Sequence, residues 1–307
     1  MTSEVGLGLA ALGRPGYINL GRRRDLGDAR SMEVLRDRTF EVLDAAWAAG
    51  IRYLDTARSY GLAETYLADW LTTRAIAPAD VVVGSKWGYT YTAEWRVGAA
   101  VNEVKDHSLA TLDRQLTESL RLLGPWLRLY QIHSATTDSG VLDDEAVLDR
   151  LARARADGSV IGLSVSGPRQ ADAIRQAIEI RRDGRPLFGT VQATWNVLEP
   201  SAGAALREAH EAGLGVIVKE ALANGRLLSA DLSRLGIDAP ADAVAIAAVL
   251  AQPWVACVLS GAVTAEQLRS NLGGTTVTLA DAAVARAASL AEEPEAYWAT
   301  RGGLAWG

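Results

Sequence analysis

The sequence predicts an α/β protein whose eight parallel strands close into a (β/α)8 TIM barrel with extended loops after the first and third strands. Short β-branched runs alternate with longer amphipathic ones from end to end, and such alternation favours a parallel sheet. Eight units can be counted, the number that closes a barrel. No Pro/Ser-rich linker or internal repeat interrupts them, so residues 1–307 read as a single domain with a C-terminal tail.

In chain order the expected strands are Val5–Ala10, Ile51–Asp55, Val81–Ser85, Leu127–Ile132, Val160–Val165, Gly189–Ala193, Gly215–Lys219 and Val255–Leu259. The expected helices are Val34–Ala49, Ala63–Thr72, Ser108–Leu123, Asp144–Ala156, Arg169–Arg181, Ala202–Ala212, Ala239–Leu250 and Thr264–Leu272. Leu109, Leu112, Leu116, Leu120 and Leu123 follow the helical period. Gly50 and Gly213 stand where a helix ends before a strand, a position that favours a left-handed cap. Two long connections interrupt the count, Gly13 to Met32 and Trp87 to His107. Connections of that length in a compact domain are usually functional or disordered. The aromatics of the second argue for order. In the first, Arg22, Arg23 and Arg24 are followed by Asp25 and Asp28 and read as a solvated loop.

A hydrophobic content of 49% suffices for a large core, and a net charge of -6 gives no field that would draw nucleic acid or an acidic membrane. The single cysteine, Cys257, excludes an internal disulfide and sits in an apolar run, as a small core residue would. There is no basic segment followed by an apolar one at the N-terminus. Ala243 to Ala251 is too short to span a bilayer. A cytoplasmic protein is expected. His107, His133 and His210 are scattered, without metal-ligand spacing, so no metal is expected.

Four polar residues mark the chemistry. Asp55, Lys86 and His133 close three of the apolar runs, and Tyr60 follows Asp55 in a short loop. In a parallel barrel the strand C-termini share one rim, so an acid, a phenol, an ammonium and an imidazole converge there. Singly, each has a plainer reading: Asp55 as a helix cap, Lys86 as a surface lysine, His133 as a core histidine. Together they form a proton-transfer site. A phenol's reference pKa of about 10 suits neutral pH poorly, and a nearby ammonium would lower it. Tyr60 is the expected general acid and Lys86 its partner. Asp55 would hold Lys86 through a buried ion pair, and His133 would orient the substrate oxygen.

These segments resemble the aldo-keto reductase superfamily. The resemblance rests on Asp55-Thr56-Ala57-Arg58-Ser59-Tyr60-Gly61, Lys86-Trp87-Gly88, Ser119 to Gly124, His133, Ile161-Gly162-Leu163-Ser164, Val191-Gln192-Ala193-Thr194-Trp195-Asn196 and Ser260-Gly261-Ala262 with Gln267 and Asn271. It implies reduction of an aldehyde or ketone, or the reverse, with NADPH (NADH as the alternative) and without metal or a Rossmann glycine fingerprint. By the same resemblance Ser164 and Gln192 hold the nicotinamide carboxamide, Trp195 offers its face to the ring, and Leu222 lies by the cofactor. Gly261, Gln267 and Asn271 meet the adenosine end. Trp87 and the C-terminal Tyr297, Trp298 and Trp306 are expected to line the pocket of a ring-bearing or otherwise apolar carbonyl or alcohol substrate; the alternative is that the tail packs on the outside of the barrel as ordinary core. The chain departs from the pattern at Val165, at Glu220-Ala221-Leu222 and at Val263, where many NADPH-using members have a cation; the nearest candidates here are Thr264 and Arg269. A lysine-dependent aldolase or isomerase and a nucleotide-sensing, non-catalytic subunit stay open as alternatives.

Overall fold

The computed structural model describes residues 4–18, 20, 30–230, 232 and 236–307. The expected loop at Arg22 to Asp28 lies outside the described residues. The chain begins with β1 (Val5–Gly8) and α1 (Met32–Ala48), whose N-terminus is capped by the Ser31 hydroxyl accepting from the Val34 amide at 3.3 Å. β2 (Tyr53–Asp55), α2 (Ala63–Thr73), β3 (Val82–Trp87) and α3 (Leu109–Leu123) follow. Next come β4 (Leu127–Ala135), α4 (Glu145–Ala156), β5 (Val160–Val165) and α5 (Gln170–Glu179). Then β6 (Thr190–Thr194), α6 (Gly203–Glu211), β7 (Gly215–Lys219), α7 (Ala241–Leu250), β8 (Cys257–Ser260) and α8 (Ala265–Leu272) complete the alternation.

The barrel is closed and its pairings are parallel. β1 joins β8 through Val5 opposite Val258 and joins β2 through Gly8 opposite Asp55. The inward faces of the strands pack Tyr53, Leu129, Ile217, Cys257 and Leu259 against one another. Burial pushes the Cys257 thiol up to about 12, in keeping with a core residue rather than a nucleophile. The outward faces meet the helices in the main core. α7 is apolar on nearly every side because it is covered on nearly every side. Ala243 to Val249 are buried between the barrel and a satellite core that includes Val197, Leu227, Val244 and Tyr297. Among the described residues no helix is long and apolar enough to cross a membrane.

The connection after β3 is ordered, as its aromatics predict: Tyr89–Tyr91 pairs antiparallel with Glu103–Lys105 as a hairpin. One local expectation changes. The helix expected to reach Arg181 stops at Glu179, and Arg181–Arg182 pairs with Arg185–Pro186 instead. Asp183 (φ 54°) and Gly184 (φ 72°) make that turn, an Asp-Gly hairpin signal that outweighs helix propensity. The tail is also ordered, as α9 (Asp281–Ala287) and α10 (Pro294–Gly302), with Tyr297 buried in the satellite core.

Candidate active site

The rim residues follow from strand alternation. In β3, Lys86 points into the barrel and reaches Asp55 at the end of β2. Its other two donors go to the Thr56 carbonyl (3.0 Å) and the Tyr60 hydroxyl (3.4 Å). Three acceptors for three N–H groups leave the ammonium satisfied and fixed. Asp55 is equally engaged: its second oxygen accepts from the Tyr53 hydroxyl (3.0 Å), the Gln192 amide (2.8 Å) and the Gln131 amide (3.5 Å). A buried pair with so many hydrogen bonds is the kind that tolerates desolvation, and removing one partner typically costs about 3–5 kcal/mol.

Tyr60 is held by glycine contacts that no other residue would allow. A Cβ on Gly13 would lie 2.2 Å from the Tyr60 carbonyl oxygen, and one on Gly61 (φ 62°) would lie 2.4 Å from the Gly13 carbonyl oxygen. The Leu62 amide closes this contact on the Gly13 carbonyl at 2.7 Å. His133 sits where β4 bulges, with Ser134 at φ 53° and a register shift between Ile132 and Ala135. Its ring meets Tyr60 edge-on at 5.5 Å and Tyr89 at 4.9 Å between centroids, and its Nδ1 is 3.5 Å from the Ser59 hydroxyl.

Electrostatics sharpen these roles. Burial and then the Asp55 charge hold the Tyr60 hydroxyl well above the ordinary phenol value, against the opposing pull of Arg14. The expectation that Lys86 lowers it is thereby corrected. The ammonium is neutralised by Asp55 at contact, so burial dominates and Tyr60 stays a protonated phenol. Burial, followed by Lys86, Lys219 and Arg14, drives His133 well below the usual histidine range, so its imidazole is neutral.

An open groove runs from this cluster across the ends of β1, β8 and β7. Asp55, Tyr60, Gln192, Leu222, Gly261, Gln267 and Asn271 all line it. The Asp242 carboxylate can only accept, so the Asn271 amide turns its nitrogen to it (2.9 Å) and takes the Ser260 hydroxyl on its carbonyl (2.8 Å). Gln267 accepts from the Val263 amide at 2.9 Å. Val263 itself is buried in the main core, so that position does not face the groove.

Other expected residues lie elsewhere. Ser164 is buried beside the groove, its hydroxyl accepting from the Ser134 amide at 2.8 Å. Trp87 and Trp195 do not line the groove. Trp87 is fully buried and packs edge-on against His107 at 5.5 Å. Trp195 packs on Trp254 at 5.7 Å and lines a separate cavity with Val197, Ala248 and Leu279. Successive strand residues face opposite ways. With Lys86 inward, Trp87 must turn outward, and with Gln192 and Thr194 inward so must Trp195. Tyr297 likewise belongs to the satellite core, its hydroxyl accepting from the Asn196 amide at 3.0 Å.

Three residues at the site have no role assigned to them in the sequence reading. Arg14 is buried, donates to the Ser59 carbonyl (2.9 Å) and Glu103 (2.9 Å), and lies over the rings of Tyr60 (5.2 Å), Tyr17 (5.1 Å) and Trp306 (4.6 Å). It ties three loops and the C-terminus to Tyr60. Lys219 and Glu220, at the end of β7, also line the groove. Their signal was present, since charged residues closing a strand belong on the rim.

Residues 5–238 match the family model described as the aldo/keto reductase family. An aldo-keto reductase of Emericella nidulans is 26% identical over 215 residues, covering 67% of this chain and 53% of the relative. A D-threo-aldose 1-dehydrogenase of a Pseudomonas species is 28% identical over 253 residues, covering 76% and 72%. The chain spans about half the length of the curated relatives it first matches, 53% and 52%. The fold is shared with an aldo-keto reductase of Bacillus halodurans solved in its holo form. The TM-score is 0.72 at 21% identity, with 95% of this chain and 93% of that one covered.

Proposed function

The chain belongs to the aldo/keto reductase family, and we propose that it moves hydride between a nicotinamide dinucleotide and an aldehyde or ketone, with Tyr60 as general acid. The observation that carries this reading is the Tyr60 hydroxyl itself. It stands on the groove wall, held by Lys86, with a neutral His133 beside it. A dinucleotide held in the groove would supply the hydride. Negative charge that develops on the carbonyl oxygen requires a proton donor at that atom, and a phenol kept protonated by burial is ready to give one. A neutral imidazole can donate a hydrogen bond to the same oxygen without competing as an acid. Lys86 and Asp55 fix the phenol's position throughout, and Arg14 adds cationic field over its ring.

The groove suits a dinucleotide. It is long, it is open beside Gly261, where an added Cβ would meet nothing within 4 Å, and it offers amides from Gln192 and Asn271. Gln192 now donates to Asp55 and would share its amide with the nicotinamide. NADPH is the form the resemblance implies. Asp242 on the groove and the burial of Val263 favour admission of NADH as well. The walls at Tyr17, Leu222 and Leu228 favour a ring-bearing or otherwise apolar substrate. Schiff-base chemistry at Lys86 is disfavoured, because its three donors are committed and an amine nucleophile must be free.

The test is to mix the protein with NADPH or NADH and a panel of aromatic and aliphatic aldehydes and ketones, following cofactor absorbance. Consumption of cofactor with at least one carbonyl is expected. Tight cofactor binding with no consumption across the panel would favour a nucleotide-sensing role instead.

A further inference from the structure

Among the charged groups that line the groove, Lys219 and Asp242 meet no opposite charge among the described residues, and Lys219 is the cation of the two. Asp55 is paired with Lys86, and Glu220 is paired with Arg301 through Nε at 2.8 Å and 3.0 Å and through a second guanidinium nitrogen. Glu220 also accepts from the Thr194 hydroxyl at 3.2 Å. Lys219 has one hydrogen-bond partner among the described residues, the Thr194 hydroxyl oxygen at 3.1 Å, and no carboxylate within ion-pair distance. An ammonium carries three donors. It stands half-buried with its accessible side on the groove, in the electrostatic company of His133, Lys86 and Asp55.

We propose that Lys219 is the anchor of an anion subsite, binding a carboxylate or phosphate group of the molecule that occupies the groove. This rests on the groove being the place of reaction, as proposed above. The chemistry follows from the donors left over: a desolvated ammonium with two uncommitted N–H groups gains charge-assisted hydrogen bonds only from an anion or a strong acceptor. The neighbouring carboxylate does not block the subsite, because Glu220 is already paired with Arg301. Two sources can bring the anion: a carboxylate on the substrate or the diphosphate of the dinucleotide.

The subsite is tunable by pH. Burial first, with Arg301 and Lys86 beside it, brings Lys219 down to about 8 against the opposing pull of Glu220 and Asp55. His133, held neutral, adds no charge. Below about 8 the ammonium is present and the subsite binds; above it the charge and the affinity are lost.

The experiment compares the full chain with Lys219→Met and Lys219→Arg. One arm measures NADPH affinity by fluorescence, which needs no turnover. The other measures kcat/KM for 4-carboxybenzaldehyde against 4-methylbenzaldehyde. At pH 7, Lys219→Met is expected to lose about tenfold in one arm, the scale of one charge-assisted contact. Lys219→Arg should retain most of it, and the wild-type advantage should fade above pH 8. Loss in the NADPH arm identifies the diphosphate as the anion, and loss of preference for the carboxylated aldehyde identifies the substrate. Thermal midpoints within a few degrees of wild type exclude a folding defect, and the arginine variant controls for it. Unchanged values in both arms, or a wild type that binds neither NADPH nor aldehyde, overturn the proposal. NADPH held through Lys219 without any turnover would instead sink the reductase reading and leave the subsite standing.

Discussion

The two sides of the groove handle charge in opposite ways. On the side built by β2, β3 and β4 each cation meets its acceptors inside the protein: Lys86 on Asp55, Arg14 on Glu103, Arg58 on Glu64 and Glu118. Glu64 further accepts from Ser85 (2.5 Å) and Ser119 (2.7 Å), joining β3 and α3 to the Tyr60 loop. On the side built by β7 and β8, Glu220 is closed by Arg301, but among the described residues Lys219 and Asp242 meet only uncharged groups, a hydroxyl and an amide. A closed charge network holds reacting groups still, and an open one leaves valences for a ligand. The first side is built for chemistry and the second for recognition.

The comparison breaks most visibly at Lys86. Lys86→Met leaves Asp55 buried without its cation, so turnover should vanish and stability should fall by about 3–5 kcal/mol. Pairing it with Asp55→Leu should recover most of the stability, measured by denaturant unfolding, and none of the activity. Recovery of both would mean that the ion pair serves only the fold.

Arg301→Gln tests the boundary between the sides. Burial works to raise Glu220, but Arg301 and Lys219 bring it down to about 2, below its ordinary 4.5. A depressed carboxyl contributes stability that is full above about 4.5 and lost as pH falls toward 2. The variant should therefore lose about 1.5–3 kcal/mol at neutral pH and show a flatter acid limb in unfolding against pH. An acid limb as steep as wild type would place that stability elsewhere.

The smallest effect concerns the open side alone. Asp242→Asn removes a negative charge from the groove and should tighten NADPH over NADH by about threefold to tenfold, since a 2′-phosphate no longer faces a like charge. An equal change for both cofactors would put Asp242 away from the adenosine ribose.

What could be read from the sequence follows the same division. The barrel was legible because periodicity repeats eight times, and Asp55, Lys86 and His133 because each closes an apolar run. The resemblance points Trp195 to the site and the aromatics that follow Lys86 point Trp87 there, although alternation from Gln192 and from Lys86 already turns both outward. Arg14 was not legible: it reaches Glu103 across 89 residues of sequence, through loops that no periodicity describes. Lys219 followed the strand-end rule as plainly as Lys86, but without a motif around it the charge carried no meaning until the groove gave it one.

The central claim is that Tyr60 gives its proton to the carbonyl oxygen while the far side of the groove holds the cofactor independently. Tyr60→Phe tests both halves together, with NADPH binding followed by fluorescence and turnover of the best carbonyl from the panel followed by cofactor absorbance. The account predicts NADPH affinity within about threefold of wild type, less than 1 kcal/mol, and turnover reduced by about a thousandfold or more, in the range of a lost general acid. Turnover within tenfold of wild type, at unchanged cofactor affinity, would contradict it.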